Sequence, residues 1–124
     1  MSQDIISDAL NQMTNAKKAG KSFLVVKRYS KLLLSILALV KLKGYIKSYE
    51  VNGKSLKIEF GKLNSCHPVK PRFFVRVAEI DKYAKRYLPA KDLGIIIIST
   101  SQGIMAHQTC QEKNIGGSLL AYFY

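Results

Sequence analysis

Two groups of residues have the types and spacing to do chemistry. The first is Ser99-Thr100-Ser101-Gln102-Gly103, with Gly116-Gly117 further along the chain. Three hydroxyls and a carboxamide suit phosphate oxygens, sugar hydroxyls and base edges. Gly103 frees the backbone to turn, and a helix predicted to follow over 105–113 would offer open N–H groups to an anion. Gly116-Gly117 allows either a close backbone approach or a plain turn into a last strand. On spacing alone, a capped hydroxyl-rich turn and a plain glycine turn remain the favoured readings of the two motifs. The second group pairs Cys66-His67 with His107-x-x-Cys110. These are zinc-ligand types without the usual C-x-x-C spacing, so no metal site is expected. There is no H-E-x-x-H, G-x-S-x-G or phosphate-binding glycine loop, and no paired carboxylates. No enzyme, no cofactor and no small-molecule substrate are expected.

Charge gives the hydroxyl turn its context. Twenty Lys and Arg oppose eight Asp and Glu, for a formal net charge of +12. Residues 1–62 hold twelve basic and four acidic residues, and residues 63–124 hold eight and four. A folded chain so unbalanced repels itself unless an anion neutralises it, and phosphate neutralisation releases counterions. Nucleic acid is therefore the expected partner, with an anionic membrane surface as the rival. Lys17, Lys18, Lys21, Lys27, Arg28 and Lys31 cluster in a stretch with no acid between Asp8 and Glu50, which favours a phosphate-contacting patch over a merely solvated face. Lys70-Pro71-Arg72 adds two cations on a stiff segment, balanced between phosphate contact and simple solubility. Seven tyrosines suggest core packing, with at most one or two left to stack on bases.

The remaining composition bounds the class. Hydrophobic residues make up 48%, enough for a core and too many for a disordered basic tail. Two cysteines are no disulfide framework and suggest a reducing compartment. Asp4 and Asp8 stand where a signal peptide would be basic, and the apolar stretch Leu32–Leu42, broken by Ser35 and Lys41, is too short to span a bilayer. A soluble, intracellular protein without membrane partners is expected.

Certain elements must position these groups. Ile5, Ile6, Ala9, Leu10 and Met13 predict an amphipathic helix over 3–16 capped by Ser2. Phe23–Val26 reads as a buried strand. Ser30 caps a second helix to about Leu42, closed by Gly44. Tyr45–Val51 and Lys54–Phe60 flank Asn52-Gly53, the signature of a type I′ hairpin. Gly61 to Pro71 breaks the pattern. Beyond it come a strand over 72–77, in which Arg72 and Arg76 would share a face, and a short helix from Ile80 to Leu88 stopped by Pro89. A doubly buried isoleucine strand, Leu93–Ser99, and a terminal strand, Leu119–Tyr124, complete the chain. The expected organisation is an N-terminal α-β-α-β-β subdomain (1–62), a linker (63–71) and a mostly β C-terminal subdomain with a short helix (72–124).

The order Leu88-Pro89-Ala90, Leu93-Gly94, the isoleucine strand, Ser99-Thr100-Ser101-Gln102-Gly103-Ile104-Met105, Gly116-Gly117 and a closing Leu-Ala-Tyr-Phe-Tyr resembles the universal small-subunit ribosomal protein eight family. Lys70-Pro71-Arg72-Phe73 and Met105-x-His107 lean towards its archaeal and eukaryotic branch. Asp8-Ala9-Leu10, Asn15-Ala16, Gly20-Lys21, Ser30-Lys31 and Lys43-Gly44-Tyr45-Ile46 extend the resemblance over the whole chain. It implies an α+β fold of two small subdomains and a structural, non-catalytic role in the cytoplasmic ribosome. The chain would bind the central domain of small-subunit rRNA, support its assembly, and neighbour other small-subunit proteins. It implies that Ser99, Thr100, Ser101, Gln102 and Gly103 enter an irregular stem beside Gly116 and Gly117. Thr14, Asn15, Ala16, Lys17, Ser30 and Lys31 would meet a second rRNA segment. The chain departs from the family pattern in its short Asn52-Gly53 turn, and in Ala106, His67 and Cys110. Those departures suggest a fast-evolving eukaryotic lineage and leave the RNA loop intact. Two other classes stay open at this point: an RNA- or nucleotide-processing enzyme with a Cys/His metal, and a membrane-surface protein.

Overall fold

Helix α1 (Ile5–Lys18) forms because Ile6, Ala9, Leu10 and Met13 bury one stripe. It ends where Gly20 takes φ +79° and the Gly20 and Lys21 N–H groups return to the Lys17 and Ala16 carbonyls, a Schellman closure. The computed structural model describes residues 5–69, 72–90 and 93–124. The expected Ser2 cap, Lys70 and Pro71 therefore lie outside the described residues.

The chain divides into two units between His67 and Pro68. In the first, strand β1 (Phe23–Val26) leads to α2 (Lys31–Leu42), which buries Leu33, Ile36, Leu37 and Val40. Ser30 caps α2, its Oγ accepting the Leu33 N–H at 3.2 Å. Gly44, at φ +86°, closes the helix as Gly20 closes the first. Strands β2 (Ile46–Asn52) and β3 (Ser55–Phe60) complete an antiparallel sheet in the order β1-β3-β2. Leu56, Ile58 and Phe60 of β3 face the core.

The β2–β3 loop differs from the expected Asn52-Gly53 turn. Asn52 pairs with Ser55, so the loop residues are Gly53 and Lys54, not Asn52 and Gly53. Only Gly53 has positive φ, +62°, the pattern of a II′ turn. The pairing register placed glycine first in the loop, where its freedom is required.

The stretch 61–69 is well anchored: the Gly61 and Leu63 N–H groups bond to the Tyr45 carbonyl, and Leu63, Cys66 and Val69 are buried. It carries β4 (Cys66–Pro68).

The second unit contains β5 (Phe74–Val75), α3 (Ile80–Tyr87), β6 (Ile95–Thr100), β7 (Gly103–Ala106), α4 (His107–Lys113) and β8 (Gly117–Phe123). The sheet order is β4-β8-β6-β7, with β5 also paired to β8. Ile95 to Ile98 are all buried, as a strand covered on both faces requires. Val75, Ile80, Ala84, Ile96, Ile98 and Leu119 form the core under α3.

The second unit differs from expectation in several places, among them the isoleucine strand, which runs Ile95–Thr100 and not Leu93–Ser99. The strand over 72–77 shrinks to Phe74–Val75, because the Arg76 N–H turns to Glu79 Oε1 (3.0 Å) and starts a 3-10 turn, Val77–Glu79. Arg72 and Arg76 thus share no strand face. The helix expected from Met105 starts at His107, since residues 103–106 pair with β6 instead. The last strand starts two residues early, at Gly117. The overall fold is α+β, as expected.

Candidate nucleic-acid interface

The hydroxyl-rich stretch is the tip of the β6–β7 hairpin, not the mouth of a helix. Thr100 pairs with Gly103, leaving Ser101 and Gln102 as the exposed loop. Thr100 Oγ1 donates to the Gly103 carbonyl at 2.7 Å and accepts the Gln102 N–H at 3.0 Å. Thr100 is therefore the brace of the turn, and Ser101 and Gln102 are the groups it presents. Gly103 has φ +109°, a conformation that L side chains rarely adopt. The expected anion site at a following helix start is overturned, because a whole strand separates this loop from α4.

Gly116 and Gly117 are brought beside the hairpin by β8. A Cβ on Gly116 would stand 2.5 Å from the Val75 carbonyl oxygen, and one on Gly117 would collide with the Ser99 carbonyl. The close approach these glycines allow is thus between strands of the protein itself. That approach sets a row across four strands, Phe74–Ser118–Ser99–Ile104, each a cross-strand partner of the next. Cross-strand partners share a face, so an aromatic ring, two hydroxyls and an aliphatic side chain line up next to the tip. Phe74 is 67% exposed. Sequence reasoning missed Phe74 and Ser118. The available signal for Phe74 was strand alternation, which sends Phe73 inward and its neighbour out.

In the first unit the expected residues separate by burial. Asn15 and Lys31 are exposed, and Lys17 is half-buried. Thr14 and Ala16 are buried. Thr14 Oγ1 donates to the Cys66 carbonyl at 2.7 Å and lies 3.4 Å from the Cys66 N–H, so its hydroxyl is engaged internally. Ser30 is occupied as the α2 cap. Asn15 and Ala16 join Gln12, Ala19, Lys21 and Leu24 around a groove of about 240 Å³. Gln12 and Ala19 were not foreseen, although they lie one turn from residues that were. Lys31 is the first residue of α2, whose first turn has no acid. A cation there opposes the helix dipole, an arrangement that an added anion relieves.

The cysteines and histidines have internal roles. The Cys66 Sγ lies 3.4 Å from the Leu10 carbonyl, and burial pushes the thiol up to about 11, partly offset by the Thr14 hydroxyl. His107 Nδ1 accepts the Ile96 N–H at 3.1 Å. His67 Nε2 lies 2.7 Å from Ser65 Oγ, and burial, then the Lys18 charge, lowers its pKa. Among the described residues, no three His, Cys, Asp or Glu gather to hold a metal ion. No described helix is long and apolar enough to cross a membrane.

The family described as Ribosomal protein S8 matches residues 4–124. Over 129 aligned positions covering all of both chains, the sequence is 38% identical to the small ribosomal subunit protein uS8 of Nanoarchaeum equitans. It is 40% identical, again over both full chains, to the proteins of that name from Archaeoglobus fulgidus and Picrophilus torridus. These relatives are archaeal, matching the expected branch and lending no support to a eukaryotic lineage.

Proposed function

The chain belongs to the ribosomal protein S8 family, a structural component of the small ribosomal subunit and not an enzyme, and from that premise we propose that it grips an irregular stem in the central domain of small-subunit rRNA and supports its assembly. The observation that carries this reading is the row Phe74–Ser118–Ser99–Ile104 ending at the exposed Ser101-Gln102 tip.

A-form major grooves exclude side chains, so recognition falls on shape, 2′-hydroxyls and unstacked bases. Ser99, Ser118, Ser101 and Gln102 supply the hydrogen bonds to sugars and base edges. The exposed Phe74 ring supplies a stacking face for one splayed base. Gly103, Gly116, Gly117 and Thr100 hold the row and the tip in shape. Asn15, Lys17, Lys21 and Lys31 bind phosphates of a second segment, with Thr14, Ala16 and Ser30 supporting them from within. Lys70 and Arg72 add phosphate contacts. In this reading 1–62 and 72–124 are two RNA-binding bodies joined through 63–71. The protein works in the cytoplasmic ribosome beside other small-subunit proteins.

Filter binding of Ser101→Trp to the central-domain stem and to a scrambled stem tests the proposal. The variant should lose about 1–3 kcal/mol on the cognate stem alone. Equal loss on both stems would remove the specific role of the tip.

A further inference from the structure

Five rings of the second unit form a continuous ladder that the hairpin site does not use. Phe73 meets Tyr83 at 5.1 Å between centroids, tilted by 60°. Tyr83 and Tyr87 lie 6.3 Å apart and 18° from parallel, Tyr87 and Tyr122 4.9 Å and 23°, and Tyr122 and Tyr124 6.4 Å and 13°. All five are half-buried, packed on the core from outside. Tyr122 partners Ile96 on the α3 face of the sheet, four residues along β8 from Ser118. At strand rise that is about 13 Å from the hairpin row, and the parity of β6 puts Ser99 on the other face.

Cations cover this ladder in a repeat. Lys82 Nζ stands 5.7 Å from the Tyr83 ring centre, and the Arg86 guanidinium 5.9 Å from that of Tyr87. The same basic-tyrosine pair thus recurs after four residues, about 6 Å of helix rise. Lys82, Lys85 and Arg86 are exposed. The carboxylates of Asp81 and Glu79 turn to neutral donors, Gln111 Nε2 at 2.7 Å and the Arg76 N–H, and among the described residues neither forms an ion pair with these cations, which outnumber them three to two. Positive charge is left beside aromatic surface, the combination that tracks a phosphate backbone while stacking its bases.

We infer that the α3 face, through the Lys82-Tyr83 and Arg86-Tyr87 pairs, is a second RNA contact that takes unpaired nucleotides. A single strand lies along α3, its phosphates on Lys82, Lys85 and Arg86 and its bases against Tyr83 and Tyr87. Charge complementarity selects the occupant, and interleaved rings favour a strand with free bases over a duplex whose bases are hidden. This rests on the reading of the chain as an rRNA binder, but it uses residues that reading leaves idle.

The test uses the full chain with two RNAs, a single-stranded ten-nucleotide uridine oligomer and the folded central-domain stem, and with an acidic decapeptide as competitor. Lys82→Glu with Arg86→Glu, both exposed positions, should weaken the oligomer at least tenfold and leave the stem within twofold. Ser101→Trp should do the reverse. Ring protons of Tyr83 and Tyr87 should move upfield in NMR spectra on adding the oligomer. Unchanged oligomer affinity in the double variant, binding with no ring shifts, or preference for the acidic peptide would each overturn the inference. Failure of the wild-type chain to bind the stem, with the oligomer responses as expected, would count against the hairpin proposal and leave this one standing.

Discussion

Gly117 lies so close under the carbonyl of Ser99 that a side chain on it would strike that oxygen. The hydroxyl turn and the diglycine, eighteen residues apart from Ser99 to Gly117, are one structure held by β6–β8 pairing.

Gly117→Ala should therefore force β8 away from β6. Overpacking of this kind costs about 1–3 kcal/mol. A lower melting temperature with weaker stem binding is expected; wild-type values for both would show that the strands separate freely.

Thr100 and Ser101 should part company. Thr100→Val removes two hydrogen bonds from the turn, and about 1–2 kcal/mol of stability should go with them. Ser101→Ala, at an exposed site, should change stability by less than about 0.5 kcal/mol yet weaken the cognate stem. Urea titration beside filter binding separates the two, and similar behaviour in both assays would contradict the division of roles.

Thr14 is a support and not a contact. Thr14→Val leaves buried Cys66 backbone groups without their partner, at about 1–3 kcal/mol. The folded fraction should still bind RNA with unchanged affinity. Lys17→Ala with Lys31→Ala should instead keep stability and reduce the salt slope of binding by about 2, roughly 1 per phosphate contact. An unchanged slope would clear this face of RNA.

Cys66 links stability to alkaline pH. Burial raises the thiol from 9.0 to about 11 in the folded chain. Between those values the unfolded chain has already released the proton that the folded chain retains, so stability falls as pH rises through the window. Two pKa units correspond to about 3 kcal/mol at most. Urea midpoints at about pH 8 and about pH 10.5 should draw together in Cys66→Ala relative to wild type. An identical pH response in both chains would show that another group sets it.

Much of this was legible in the residues. The apolar stripes of α1 and α2, the Ser30 cap and the closing Gly44 are local signals that formed where expected, and the isoleucine strand formed one to two residues further on, at Ile95–Thr100. The hairpin loop slipped by one residue because Gly53 and Lys54, not Asn52 and Gly53, satisfy the strand register. Gly103–Ala106 became strand because pairing with the isoleucines outweighed a short helix start.

By itself the sequence determined the positive charge, the α-β-α-β-β order of the first sixty residues and the glycines near which the backbone turns, since these follow from composition and near neighbours along the chain. The tertiary structure alone decided which hydroxyls face outward. Thr14 and Thr100 are engaged internally, Ser101 is presented, and Ser118 and Phe74 join Ser99 in a row. The reason is that burial and partnership depend on registers between strands distant in sequence, which no local pattern encodes.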